Sequence, residues 1–311
     1  VSKIATREAY GKALAKLGAE NRDIVVLDAD LSKSTKTSDF AKEFPDRFFD
    51  MGVAEQNMLG TAAGLAAAGK IPFASSFAIF ATGRAFEQIR NSIAYPGLNV
   101  KIAASHAGIS VGEDGASHQS VEDIAIMRAL PNMTVIVPAD ATETEFAIRA
   151  AVNFKGPVYI RLGRLSLPVL FDETYHFEIG KSATVRDGSD VTVIACGLMV
   201  GPAIEAADEL AAENIRVRVI NMPTIKPIDR DAIIKAARDT KAIVTAEEHS
   251  IIGGLGSAVA EVLVQNVPVI QEMVGIKDTF GESGPPAELL KKYGLTKEDI
   301  AAAVKKAIGR K

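Results

Sequence analysis

Short continuous apolar runs, each followed by a longer segment of helical spacing, recur along this chain and leave few folds open to it. In the first half the runs are Ile24-Val25-Val26-Leu27, Arg47-Phe48-Phe49, Ile71-Pro72-Phe73-Ala74, Val100-Lys101-Ile102-Ala103-Ala104, Thr134-Val135-Ile136-Val137 and Val158-Tyr159-Ile160-Arg161. Runs of this kind are buried on both faces in parallel sheets, and their alternation with helices of about 10–15 residues indicates a doubly wound sheet. Helices are expected from Thr6, as N-cap, to Gly18, where the pattern stops; after Glu55; from Arg84 to Ile93; and from Thr142 to Val152. Between Gly163 and Ser189 the periodicity lapses into linker and turn. A second series follows, with strands at Val191–Ala195, Val217–Ile220, Ala242–Thr245 and Val267–Ile270 and helices between and after them. The expected fold class is α/β: two consecutive open, mostly parallel sheets flanked by helices, in domains at residues 1–170 and 189–311 joined by a linker at 171–188.

The 311 residues, 48% of them hydrophobic, suffice for two cores. A net charge of -4 without a basic run argues against nucleic acid or an anionic membrane as partner and favours a small molecule. Cys196 is the only cysteine and sits in an apolar run, as a buried small residue rather than a nucleophile. The start of the chain is polar, and no run of about 18 apolar residues occurs. A soluble, cytoplasmic protein is expected.

Polar groups collect at the C-terminal ends of the first-half strands, where open α/β sheets place ligands. These are Asp30 and Ser34; Glu55, in the first turn of a helix of small residues; Ser75 and Ser76 with Phe77 and Phe80; and His106 with the loop Gly112-Glu113-Asp114-Gly115-Ala116-Ser117-His118-Gln119. At an exposed N-terminus Glu55 would do no more than complement the helix dipole, worth about 0.3–1 kcal/mol. Phe77 and Phe80 are spaced either as core aromatics or as a surface for a flat ring. The histidines do not stand in HxxxH or HxH spacing, so no metal site is assigned to this chain. Gly253-Gly254-Leu255-Gly256-Ser257 lacks phosphate-loop spacing and reads as a tight turn with close helix packing.

Taken in order, Gly52-Val53-Ala54-Glu55-Gln56-Asn57, Ser75-Ser76-Phe77-Ala78-Ile79-Phe80, His106-Ala107-Gly108, Gly112 to Gln119 and Pro131-Asn132-Met133 resemble the pyrimidine-binding domain of transketolases. The second domain is similar to their C-terminal domain, so the resemblance covers nearly the whole chain. It implies a thiamine-diphosphate-dependent transfer of a two-carbon ketol unit from a ketose phosphate to an aldose phosphate, a reaction of the pentose phosphate pathway. It further implies that Glu55 hydrogen-bonds the pyrimidine N1′ and that Phe77 and Phe80 stack on that ring, with Asp30 and Leu31 beside the cofactor. His118 and Asp114 would contact sugar hydroxyls, His118 with a catalytic part, and His106, Arg164, Ser34 and Arg7 would hold the sugar phosphate.

Two departures shape the reading. No Gly-Asp-Gly followed at the family's distance by Asn is present, so the domain that binds the diphosphate and its Mg2+ or Ca2+ is missing. An aromatic usual three residues after the second phenylalanine is Gly83 here. The resemblance therefore implies the C-terminal subunit of a split transketolase. A separate N-terminal subunit would supply the metal ligands, in a two-plus-two heterotetramer. The β subunit of a 2-oxoacid dehydrogenase E1 and a non-catalytic structural or regulatory paralogue are the alternatives. Deoxyxylulose-phosphate synthase generally carries arginine where His106 stands.

Overall fold

The apolar runs become the inner strands of two sheets in a computed structural model that describes residues 2–311. In chain order the strands are β1 (Lys3–Ala5), β2 (Ile24–Asp28), β3 (Phe48–Asp50), β4 (Ile71–Ser75), β5 (Lys101–Ala104), β6 (Thr134–Ile136), β7 (Val158–Arg161), β8 (Ser166–Pro168), β9 (Ala183–Arg186), β10 (Val191–Ala195), β11 (Val217–Asn221), β12 (Thr224–Lys226), β13 (Ala242–Ser250) and β14 (Ile270–Ile276). The first sheet has the order β12-β6-β7-β5-β4-β2-β3 and the second β14-β13-β10-β11-β9. All neighbours in both sheets are parallel except β12 on β6 and β9 on β11. β1 and β8 form a separate antiparallel ribbon. The α/β class and the parallel sheets agree with the sequence reading.

The differences have local physical causes. Gly18 does not end the first helix, which runs Thr6–Glu20. A side chain there would meet the Phe40 ring at 2.5 Å, so this glycine is a packing contact. The last strand begins at Ile270 and not at Val267, with β13 setting its register through Ala242 opposite Ile270; Pro268 lacks the N–H that a ladder needs. Where a regular helix from Arg84 was expected, the chain winds in wider π turns at Phe80–Arg84 and Gln88–Ala94, a winding common at functional sites.

β12 belongs by sequence to the second half yet adds an edge to the first sheet. One contiguous apolar cluster joins Val135 and Tyr159 of the first sheet to Ile194, Ile220 and Ile243 of the second. Fully burying one such side chain is worth about 1.5–3 kcal/mol, so separating the sheets would cost several of these terms at once. Among the described residues, no helix is long and apolar enough to cross a membrane.

The junction is also charged. Arg161 on β7 donates from Nε to Asp123 at 2.8 Å and from Nη2 to the Glu248 carbonyl at 2.9 Å, and both side chains are buried. Tyr159 donates to the same Asp123 oxygen at 2.6 Å. Glu247 accepts from the backbone N–H groups of Leu255 and Gly256 at 2.7 and 2.8 Å. Its carboxylate thus fills the N-terminus of the Leu255–Asn266 helix, and a Cβ on Gly254 would lie 2.1 Å from it. The glycine pair is a tight turn around an internal carboxylate, which leaves that helix end no room for a phosphate.

Candidate active site

Asp28, buried at the end of β2, organises the first loop. It accepts from the Leu31 N–H at 2.6 Å and from the hydroxyls of Thr35 and Thr37 at 2.7 and 2.8 Å. Those bonds fold the segment carrying Asp30, Leu31 and Ser34 back over the strand end. Asp30 takes a left-handed conformation, φ 62, and is exposed beside Asp50, whose carboxylate accepts its N–H at 3.1 Å.

The Ser34 carbonyl accepts from Arg7 Nη1 at 2.9 Å, and the same nitrogen lies 3.2 Å from His106 Nε2. Because guanidinium can only donate, His106 Nε2 must accept, so the ring proton sits on Nδ1 and points to the Ser105 hydroxyl at 2.8 Å. Arg7, Ser34 and His106 are therefore one cluster, and the buried Arg7 Nε has no partner within the chain. Burial, then the charges of Arg7, Arg164 and His118, push the His106 pKa down to about 3. The sign follows from linkage: the unfolded ring takes a proton near pH 6.5 and the folded ring refuses it. This histidine therefore costs nothing above that pH and destabilises the fold increasingly as pH falls below it. His106 ring resonances are expected to show no titration between pH 5 and 8 in the folded protein; an inflection in that range would contradict this electrostatic picture.

Phe77 stacks on His106 with centroids 3.8 Å apart, and Phe80 lies nearly parallel to Phe77 at 5.8 Å. His118 meets Phe80 edge-on at 5.1 Å and is bonded to the Ser117 hydroxyl at 2.9 Å. Both histidines and both phenylalanines thus form one aromatic wall. Arg164 is tied to the 112–119 loop through Glu113 at 3.5 Å and to the residue just before it through the Val111 carbonyl, and does not bond Arg7 or His106. Asp114 is exposed on the same loop.

Glu55 opens the Glu55–Ala67 helix, whose inner face buries Met58, Leu59, Ala62 and Ala63. The carboxylate is 2% exposed and accepts from Arg84 Nη1 at 2.6 Å. That guanidinium also lies over the Phe80 ring, 4.5 Å from its centroid. A buried carboxylate and an aromatic face therefore border the same space, since one planar cation touches both. Arg84 went unread as a site residue in the sequence; the signal available was its position four residues after Phe80, beside the anomalous Gly83. The outer face of the same helix exposes Gln56, Asn57, Gly60 and Gly64, with open space at both glycines and Val53 exposed just before it. Among the described residues, no group of three or more His, Cys, Asp or Glu side chains is placed to hold a metal ion.

Fold and site together define a class: a cluster of buried polar and aromatic side chains at the strand ends of an open, mostly parallel sheet, followed by a second α/β domain. Residues 2–169 match the family described as transketolase, pyrimidine binding domain, and residues 180–300 that described as transketolase, C-terminal domain. The chain belongs to the transketolase family. A Methanocaldococcus jannaschii protein named provisionally as a transketolase C-terminal section is 55% identical, over 96% of this chain and 94% of its own length. The 6-deoxy-6-sulfo-D-fructose transketolase subunit SqwH of Clostridium sp. (strain MSTE9) is 45% identical over 98% of this chain and 95% of that protein. A solved structure titled split gene transketolase, inactive beta4 tetramer, superposes with a TM-score of 0.93 at 61% identity, covering 98% of this chain and 99% of that one. Against human transketolase, 42% identical over 97% of this chain, the match spans 49% of the longer protein.

Proposed function

We propose that this chain is the C-terminal subunit of a split transketolase. With a separate N-terminal subunit it would transfer a two-carbon ketol unit from a ketose phosphate to an aldose phosphate. The observation that carries this reading is Arg84, which makes with Glu55 and Phe80 the two contacts a flat, hydrogen-bonding pyrimidine would need. The residues present therefore fit thiamine diphosphate in kind, which when bound supplies a carbon nucleophile and an aminopyrimidine that relays protons.

Each part of the chain has a task in that chemistry. Glu55 holds or shares a proton at the pyrimidine nitrogen, its own burial keeping water away. Phe77 and Phe80 orient the ring, with Asp30 and Leu31 at the edge of the site. Arg7, neutral His106, Ser34 and Arg164 surround a place for the sugar's anionic end, and an arginine fork suits phosphate or another oxyanion. His118 and Asp114 reach the sugar hydroxyls, His118 from the aromatic wall.

The outer face of the Glu55 helix, open at Gly60 and Gly64, is assigned to the N-terminal subunit, which would bring the diphosphate surface and the ligands for Mg2+ or Ca2+. A two-plus-two heterotetramer in the cytoplasm, serving pentose phosphate metabolism, is the assembly and setting proposed. Support comes from the split-gene structure, whose title describes an inactive assembly of one kind of chain. The sulfosugar in the name of the Clostridium relative leaves the donor class open to anions beyond pentose phosphates. The test is product analysis on the complex purified from its own source, supplied with thiamine diphosphate, Mg2+, xylulose 5-phosphate and ribose 5-phosphate. Sedoheptulose 7-phosphate is expected; decarboxylation of a 2-oxoacid instead would move the assignment to an E1 β subunit.

A further inference from the structure

The loop that carries Asp114 and His118 is not held by its own domain alone. Gln119, 3% exposed, turns its amide inward and donates from Nε2 to the carbonyls of Ile109 and Gly112 at 3.3 and 3.1 Å and of Glu282 at 2.9 Å. The first two acceptors belong to the loop and the third to the far end of the chain. Gly281, next to that acceptor, approaches so closely that a Cβ there would stand 1.9 Å from Gln119 Oε1. Ser283 adds a hydroxyl bond to the Glu113 carbonyl at 2.6 Å, and Pro286 lies where a side chain on Gly112 would have to go.

The loop's other end is braced from beneath by β13. Glu248 accepts from the Ser110 N–H at 2.7 Å, and its carboxylate occupies the space that a Cβ on Gly108 would need, at 2.2 Å. Gly108 and Gly112 both have positive φ, 82 and 88, so the backbone between the two braces takes a path that other residues resist. His106 lies two residues before the first of these glycines and also has positive φ, 57.

We propose that the second domain acts as a clamp on the substrate loop, with Gln119 and Glu248 as positioning residues that set where His106 and His118 stand. Neither side chain bonds a side chain of the aromatic wall; each acts through the backbone it fixes. This rests on the transketolase reading, in which those histidines meet the sugar. A clamp of this kind acts on the sugar-facing histidines, and no hydrogen bond links either brace to the Glu55 carboxylate; displacing a positioned group by about 1 Å can cost up to about 100-fold.

The test uses the reconstituted two-chain enzyme. Gln119→Met keeps the shape but removes the donors, and Gly281→Ala pushes on the same amide from across the domain boundary. Both are expected to raise KM for the aldose phosphate about tenfold or more, with kcat and thiamine diphosphate affinity each changed far less. Glu248→Gln, which keeps an acceptor for the Ser110 N–H, should stay near wild type where Glu248→Ala does not. Unchanged KM in both Gln119→Met and Gly281→Ala would overturn the clamp, as would a parallel loss of cofactor affinity and turnover. A second readout needs no turnover: amide exchange in residues 108–120 should accelerate in Gln119→Met while residues 55–67 keep their protection. If wild type fails to transfer but this exchange pattern appears, the clamp stands and the transketolase reading falls; exchange unchanged in the loop removes the clamp alone.

Discussion

Glu55→Gln is expected to lower two-carbon transfer by the full weight of a positioned proton carrier, about 10²–10⁴-fold, with the fold intact. The substitution is nearly isosteric, and the amide oxygen can still accept from Arg84, so the buried start of the helix keeps its shape and its tie to that residue. What the amide cannot do is exchange a proton with a ring nitrogen. The readout is transfer rate together with the thermal midpoint, and retention of most activity would remove Glu55 from the mechanism. A variant unfolded at assay temperature would instead show that the carboxylate's partnership with Arg84 is structural.

Asp123→Ala is expected to destabilise the protein by about 3–5 kcal/mol, because it leaves the Arg161 charge buried without its carboxylate. Burial alone would raise the Asp123 pKa, but the charge of Arg161, then that of His249 and the bonds from Arg161 and Tyr159, outweigh it and hold the pKa below the usual carboxylate value. A carboxylate depressed in the fold contributes stability above its unfolded pKa and loses it as pH falls through the folded value. The single variant should therefore lose most stability near neutral pH and differ less from wild type in strong acid. Asp123→Leu combined with Arg161→Met, which removes both charges, should recover much of the loss, since apolar replacement of a buried pair is often neutral or better. Chemical denaturation at pH 7 decides it: a loss below about 1 kcal/mol for Asp123→Ala would mean that the pair behaves as a surface one.

The inner strands were legible because burial on both faces leaves a continuous apolar run, as in Ile24 to Leu27. Where a residue's role depends on a distant partner, the sequence was silent. Gly18 reads locally as a stop, and only the placement of Phe40 reveals it as a contact. Thr224 to Lys226 is too short to announce a strand, and its partner on β6 lies in the other half of the chain. In the site, the family motifs pointed to Glu55, Phe77, Phe80, His106 and His118, and the structure gathers the four aromatic side chains into one wall. They could not show that Arg84 bridges Glu55 and Phe80, because that role comes from geometry between separate elements, or that Asp28 folds the Ser34 loop, because its bonds to Leu31, Thr35 and Thr37 are local but follow no spacing the motifs contain. Gln119, inside a recognised motif, is explained only by Glu282 at the opposite end of the chain.

The central claim is that this chain holds half of an active site, and reconstitution tests it most directly. Purified chain, purified N-terminal subunit and an equimolar mixture would each be given thiamine diphosphate, Mg2+, a ketose phosphate donor and an aldose phosphate acceptor, and the two-carbon-extended product measured. The account predicts product from the mixture alone, at a rate that saturates at one partner per chain. Turnover by this chain without its partner, or a stable mixed complex that binds the cofactor and transfers nothing, would contradict it.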